Sequence, residues 1–303
     1  MNPELQNPLG VSANLPLDPV TPEDDLDAEV TREKLEALRA LLRQLRSVLV
    51  CYSGGIDSAL VVAVAHEQLG SRAIAITAVS PSLAPSERDD AGRLAESLGV
   101  RHFFVDSHEI DRPGYVANGP DRCFHCKSEL YQIAREQLAV HDVEHILNGT
   151  NRDDLGDYRP GLDAARQAGV RSPLAELGFN KQDVRAIARL LGLPIWKKPA
   201  AACLSSRIPY GTSVTRERLA QIAALEQDLK DLGFSQLRVR WHGKIARIEL
   251  TLAELPRAID SSVRERILSA GKRHGFHYVT LDLGGYRMGS HNEVLPGHFL
   301  KVI

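Results

Sequence analysis

Ser53-Gly54-Gly55-Ile56-Asp57-Ser58 constrains this chain more than any other stretch. Before it stands an unbroken apolar run, Val48-Leu49-Val50-Cys51-Tyr52, with the length and character of a buried strand. After it, residues 59–69 read as a helix that Gly70 stops. Glycines let the backbone come close to a bound group, and the free N–H groups and dipole of a helix start attract negative charge. The stretch therefore predicts an anion cradle built from Ser53, Gly54, Gly55, Asp57 and Ser58, suited to a phosphate chain. The GxxxxGK(S/T) pattern is absent, so this is not the Walker type of loop. An ordinary glycine-rich turn is the plain alternative.

The rest of the chain alternates in the same way. Strands are predicted over 48–52, 72–78, 102–105 and 145–148, with helices over 57–69, 86–98 and 127–139. Asn180 and Asp183 open a further helix that ends near Gly192. The fold class is accordingly α/β, a doubly wound parallel sheet with ligand loops beyond the carboxyl ends of its strands. Past Cys203 the pattern changes. Thr215 starts a helix, strands at 236–241 and 245–250 form a hairpin, and a helix over 256–270 leads to a strand at 278–283. That order suits a second, smaller α+β domain. The divisions read from the sequence are a proline-rich flexible leader at 1–29, with a helix starting at Thr31, then domains at 30–206 and 207–303.

Composition narrows the setting. At 303 residues, 43% hydrophobic and 25% charged, the chain has the make-up of a soluble globular protein. It has no apolar stretch of membrane-spanning length and no signal-peptide layout, so no membrane partner and a cytoplasmic location are expected. A formal net charge of −2 offers no general attraction to a nucleic-acid backbone, and no nucleic-acid partner is expected.

Four cysteines, Cys51, Cys123, Cys126 and Cys203, are too few for a disulfide scaffold. In a reducing compartment they read as ligands, catalysts or small apolar groups. Cys51, inside the first strand, reads as core. Arg122-Cys123-Phe124-His125-Cys126-Lys127 places a CxxC at a helix start beside two cations, a setting that favours thiolate. There is no second CxxC for a four-cysteine zinc site. Three thiols with Cys203 would suit a cubane iron–sulfur cluster with one iron left open; a thioredoxin-like pair and a plain surface pair stand beside that reading. Cys203 lies among alanines, where a lone cysteine is more often a buried small hydrophobe, but Arg207 follows it near the domain boundary, where clefts form, and favours a functional role.

Two further groups carry polar chemistry. Asn148-Gly149-Thr150-Asn151-Arg152-Asp153-Asp154 follows the fourth strand and should face the glycine loop. Asp153 or Asp154 could hold magnesium there and Arg159 could steady phosphate charge; a solvated turn is the alternative. Arg238 and Arg240 fall on one face of the hairpin and could grip a substrate phosphate, unless the strand is simply exposed and basic.

Together SGGIDS, RCFHCKSELY, GTNRDDLGDYRPG, AACLSSRIPYG, RVRWHG and LDLGGYRMGS resemble the LarE family of pyridinium-biscarboxylate sulfur transferases. SGGIDS alone resembles the PP-loop of enzymes that split ATP to AMP and pyrophosphate. The resemblance implies an ATP- and magnesium-dependent enzyme, with ATP bound in 30–206 and substrate, sulfur transfer and oligomerisation in 207–303. The implied substrate is pyridinium-3,5-biscarboxylic acid mononucleotide, adenylated on a carboxylate and left as a thiocarboxylate on the way to a nickel-pincer cofactor. Family members with one cysteine, at the position of Cys203, sacrifice its sulfur. Those with three, at Cys123, Cys126 and Cys203, bind a 4Fe-4S cluster that delivers sulfide from a donor. This sequence looks like the second kind. Lys127, Asp154, Ser206, Arg207, Arg238 and Arg240 are implied substrate-pocket residues, and a homo-oligomer, commonly a hexamer, is implied as well.

Overall fold

The computed structural model describes residues 22–156, 160–198, 202–287 and 289–294, with the backbone alone for 22–27. Arg159 lies outside them. The chain divides into two compact units, each made of three stretches. The first runs to Ala78 and takes in Arg88–Ser107 and the chain from Lys127 to residue 198; the second holds Val79–Glu87, His108–Cys126 and the chain from residue 202. The sequence suggests one cut at 206/207, whereas the two units are interleaved. The stretches following the second and third strands belong with the C-terminal part.

In the first unit, α1 (Pro22–Gln44) buries Leu35, Leu38 and Leu42 as one stripe, with Leu45 just beyond its end. It starts earlier than the predicted Thr31, so residues 22–29, expected in the leader, are its opening turns. β1 (Val48–Cys51) is buried along its whole length, as a central strand covered on both faces must be. α2 (Ile56–Leu69) is apolar all round and buried from Ser58 to Ala65, which makes it a core helix rather than a surface one. β2 (Ala73–Val79), α3 (Pro85–Ser97) and β3 (Arg101–Asp106) follow; the single turn α4 (Pro113–Val116) and the first turn of α5 (Arg122–His141) fall in the second unit, and the rest of α5 leads to β4 (His145–Leu147) in the first. The sheet order is β3-β2-β1-β4, with β1 parallel to both β2 and β4. This is the expected doubly wound α/β arrangement. Three helices complete the run, α6 (Pro160–Gln167), α7 (Pro173–Glu176) and α8 (Lys181–Leu190).

The second unit has its own core around Leu219, Ile222, Leu225, Phe234, Val239 and Ile248, joined by Ile110 and Tyr115 from the earlier stretches. α9 (Arg216–Asp231) is capped by Thr215, whose side chain accepts from the Arg218 N–H at 3.3 Å. β5 (Leu237–His242) and β6 (Ile245–Leu250) pair antiparallel. The single helix predicted over 256–270 is two, α10 (Leu255–Ile259) and α11 (Ser261–Arg273). Asp260 breaks it by leaving helical geometry and capping the second piece through the Ser262 N–H at 3.1 Å. β7 (Tyr278–Leu281) then pairs parallel to β6, giving the order β5-β6-β7.

Candidate active site

The first unit carries the glycine loop. Gly54 sits at φ +75°, the left-handed region that a side chain would strain. Gly55 is extended and caps α2, its carbonyl accepting the Ala59 N–H at 2.9 Å. The buried Ser58 shapes the turn: its hydroxyl donates to Gly55 O at 3.1 Å and accepts the Ser53 N–H at 3.2 Å. Ser53 is exposed, with its own hydroxyl 3.1 Å from that of Ser58.

The loop after β4 closes on this helix start, as predicted. Gly149 is required there, because a Cβ would stand 2.4 Å from Ser58 N and 2.8 Å from the Asp57 carbonyl carbon. The Asn151 side chain donates to Asp57 Oδ1 at 3.0 Å. Its backbone N–H goes to Asp154 Oδ2 at 3.0 Å, and its Oδ1 accepts the Asp153 N–H at 2.9 Å. Asp154 thus shapes its own turn. Asp153 accepts the Lys181 N–H at 2.9 Å, and the Lys181 ammonium pairs with Asp57 Oδ2 at 2.5 Å. The capping box of Asn180 and Asp183, legible in the sequence, sets Lys181 at the first position of α8. Lys181 itself was not singled out by the sequence; its signal was its place directly after a cap. Lys127 acts electrostatically on Cys51, whose thiol burial pushes up to about 12. Cys51 is core.

The second unit gathers the other candidates. Arg122, at the start of α5, is buried and donates to Asn118 Oδ1 at 2.5 Å and to Ser205 O at 3.0 Å. It thereby ties the CxxC segment to the segment of Cys203. Burial alone would lower its hold on its proton, but the charges of Cys203 and Cys123 outweigh that and raise it. Burial, then the charge of Cys203 and more weakly that of Cys126, push the Tyr115 hydroxyl up. That hydroxyl is hydrogen-bonded to Ser205. Of the three thiols, Cys123 and Cys203 are exposed and Cys126 is half-buried. Among the described residues no three of His, Cys, Asp and Glu form a ligand group for one metal ion. Three cysteine thiols are the donor type that a cubane takes.

Arg207 is a structural guanidinium. It forms a buried two-pronged pair with Glu226 at 2.9 and 3.2 Å and spends its Nη1 on Ala202 O at 2.8 Å and Cys203 O at 3.2 Å. The Ser206 hydroxyl also donates to Cys203 O, at 2.9 Å. Both residues hold the Cys203 segment. Arg238 and Arg240 share a face of β5 and both are buried, which removes the exposed-strand alternative. Arg240 is fully engaged, with Glu249 at 2.9 Å through two bonds, Ser206 O at 2.8 Å and the Ser290 hydroxyl at 2.7 Å. Arg238 is different. Its hydrogen bond goes to the Tyr286 hydroxyl at 3.1 Å, over whose ring it also lies, and among the described residues it pairs with no carboxylate. Burial, then the nearby Arg207 and Arg240, hold it below the usual arginine range. A guanidinium that is crowded by its own kind is the natural seat of an anion.

Sequence reasoning missed His291 and Asn118. Asn118, at φ +54°, donates to Pro209 O at 2.8 Å and Thr212 O at 2.9 Å. The His291 ring lies tilted against that of Tyr210 with centroids 4.2 Å apart, and burial followed by the charges of Arg122, Arg240, Arg238 and Arg207 pushes its pKa down to about 3.

A parallel α/β sheet with a Gly-Gly loop at the end of β1 defines the PP-loop class, and a family model described as asparagine synthase matches residues 30–114. A pyridinium-3,5-bisthiocarboxylic acid mononucleotide synthase of Lactiplantibacillus plantarum is 40% identical over 86% of this chain and 95% of its own. An uncharacterised protein of Synechocystis is 46% identical over 86% of this chain and 98% of its own. A tRNA-specific 2-thiouridylase of Rickettsia typhi is 27% identical over 51% of this chain and 53% of its own. The chain belongs to the LarE family, that of the Lactiplantibacillus synthase.

Proposed function

We propose that this protein is an ATP-dependent sulfur transferase acting on pyridinium-3,5-biscarboxylic acid mononucleotide. The observation that carries the reading is 40% identity along nearly the whole of a named synthase, in a chain that carries the PP-loop and a buried guanidinium, Arg238, which among the described residues pairs with no carboxylate. In the first step a substrate carboxylate oxygen attacks the α-phosphorus of ATP. The bond to the β-phosphate oxygen breaks, and pyrophosphate leaves with the electron pair. The N–H groups of the Ser53–Ser58 loop orient the phosphates, Asp57 braces the loop through its bonds to Asn151 and Lys181, and magnesium would neutralise phosphate charge. Asp154, shaping its own turn, supports that loop. In the second step sulfur attacks the acyl carbon, and the carbon–oxygen bond to AMP breaks, leaving the thiocarboxylate. Arg238 takes the substrate phosphate, while Ser206, Arg207 and Arg240 position the surrounding backbone. Cys123, Cys126 and Cys203 would hold a 4Fe-4S cluster, which when bound supplies an iron open to sulfide. Cytoplasmic location and assembly as a homo-oligomer, hexameric by family likeness, belong to the same proposal; among the described residues no helix is long and apolar enough to cross a membrane.

The test is anaerobic reconstitution followed by turnover with ATP, substrate and sulfide. AMP and pyrophosphate should form together, and the protein mass should be unchanged after several turnovers. Release of ADP and phosphate would sink the ATP chemistry. A loss of about 34 Da at Cys203, the elements of hydrogen sulfide, would instead establish the sacrificial route. Transfer of sulfur to tRNA is the weaker reading, since the thiouridylase likeness spans only half of the chain.

A further inference from the structure

The last described residues of the second unit are tied to the arginines of β5. Tyr286 meets Arg238, and the Ser290 hydroxyl accepts from Arg240 at 2.7 Å. Asn292 Oδ1 accepts from the Tyr210 hydroxyl at 3.1 Å. His291 stands between these two anchors, its ring against that of Tyr210, and the Arg122 guanidinium lies 5.9 Å from the centre of the same tyrosine ring. Its neighbours in the chain are thus held on both sides, yet His291 Nε2 is buried and meets no hydrogen-bonding group among the described residues. Buried polar atoms are nearly always satisfied, so an orphan of this kind calls for a partner from outside the chain. The surrounding charge says which partner. Arg207 is spent on Glu226 and Arg240 on Glu249, Arg122 feels the charge of Cys203 and Cys123, and Arg238 pairs with no carboxylate among the described residues. Burial and these four cations keep the imidazole neutral while the site is empty. A neutral imidazole can still give one N–H to an anion without adding to the crowding of positive charge.

We propose that His291 is a binding residue of the phosphate seat at Arg238, its Nε2–H donating to the bound anion and its ring taking up a proton as pH falls. This rests on the reading that Arg238 takes the substrate phosphate, and adds to it a contact that titrates. An anion at Nε2 raises the hold of the ring on a proton, so by linkage a lower pH tightens the anion. The charged groups around the ring are Arg122 from α5, Arg207 from the turn after Cys203, and Arg238 and Arg240 from β5, with Glu226 and Glu249 in their pairs. Arginine keeps its charge at any working pH. His242, at the other end of β5 beside Arg247, is the competing histidine of this sheet.

The experiment is calorimetric titration of the full chain with sulfate at pH 7, 6 and 5. Sulfate has the shape of phosphate and stays a dianion throughout, so any pH dependence belongs to the protein. Wild-type affinity should rise by about three- to ten-fold from pH 7 to 5. Gln sets an amide N–H near the place of Nε2 but cannot titrate, so H291Q should bind within about three-fold of wild type at pH 7 and gain nothing on acidification. H291F keeps a ring against Tyr210 without the donor and should bind about ten- to a hundred-fold more weakly; should it melt early, the profile of H291Q decides. A folded H291F with wild-type affinity overturns the assignment. So does a gain on acidification that survives in H291Q, which would belong to His242. Sulfate lost in R238A but kept in H291F overturns the His291 contact alone. Binding that R238A also leaves untouched, or a wild type that takes neither sulfate nor the mononucleotide, overturns the Arg238 seat and this contact with it.

Discussion

Arg238 and Arg240 are two residues apart on one strand, yet replacing them should have opposite consequences. Glu249 has no exposed surface, and Arg240 gives it two bonds at 2.9 Å. Arg240→Ala would leave that carboxylate buried, with Arg247 as its remaining ion-pair partner at 3.3 Å. Breaking a buried pair from one side costs roughly 3–5 kcal/mol. The contact with the half-exposed Arg247 sets the expectation at the lower end, about 3 kcal/mol, or a melting point lower by roughly 6–12 °C at this chain size. Arg238→Ala removes a charge that burial and two neighbouring guanidinium groups already oppose. Its stability should stay within about 1 kcal/mol of wild type. Its KM for the mononucleotide should nevertheless rise by about ten- to a hundred-fold, with ATP affinity unchanged. The assay is a urea titration followed by fluorescence of Trp241, which lies on the same strand in the second unit, alongside steady-state kinetics. Converting the pair together, Arg240→Met with Glu249→Leu, should recover most of the lost stability. The reasoning fails if Arg238→Ala is the more destabilising of the two single changes, or if it leaves KM untouched.

Other consequences follow from single contacts. His291 has a folded pKa of about 3 against 6.5 unfolded, so below pH 6.5 the unfolded chain takes up a proton that the folded chain refuses. Stability should therefore fall as pH drops from 6.5 towards 3, by about 2 kcal/mol at pH 5, and His291→Gln should flatten that part of the profile; parallel pH–stability curves would refute it. Gly149→Ala drives a methyl into backbone 2.4 Å away and should cost about 1–3 kcal/mol and weaken ATP binding, whereas an unchanged ATP affinity would mean the loop yields freely. Asn180→Ala removes the capping box and should destabilise the first unit by about 1 kcal/mol in thermal melting, a loss that Asn180→Asp should largely spare.

Local chemistry made much of the fold readable. The buried run at β1, the Gly-Gly break and the Asn180 cap each declare themselves over a few residues, and each lies where it was expected. The helix break at Asp260 did not, because the apolar spacing of Ile259, Val263 and Ile267 continues across it. Nothing local could show that Val79–Glu87 and His108–Cys126 pack with the C-terminal part, since that depends on Ile110 and Tyr115 finding partners about a hundred residues away. The same holds within the site. The arginines of β5 were visible, but Glu249 lies opposite Arg238 in the register, and only its diagonal side-chain bonds to Arg240 tell the engaged arginine from the unneutralised one. Lys181 was one lysine among the chain's basic residues until its ammonium met Asp57.

Interleaving also sets a timetable at the ribosome. The first unit has all its stretches once residue 198 has emerged, but Ile110 and Tyr115 wait for α9 and the β5–β6 hairpin before their side chains are covered. At a synthesis rate of roughly 5–20 residues per second, that wait is on the order of ten seconds. For the first part of it the nascent chain displays apolar side chains and two thiols, Cys123 and Cys126, ahead of the third. Chaperone capture, and any oxidation of the CxxC pair, would belong to this interval, before the segment carrying Cys203 can be tied down by Arg122.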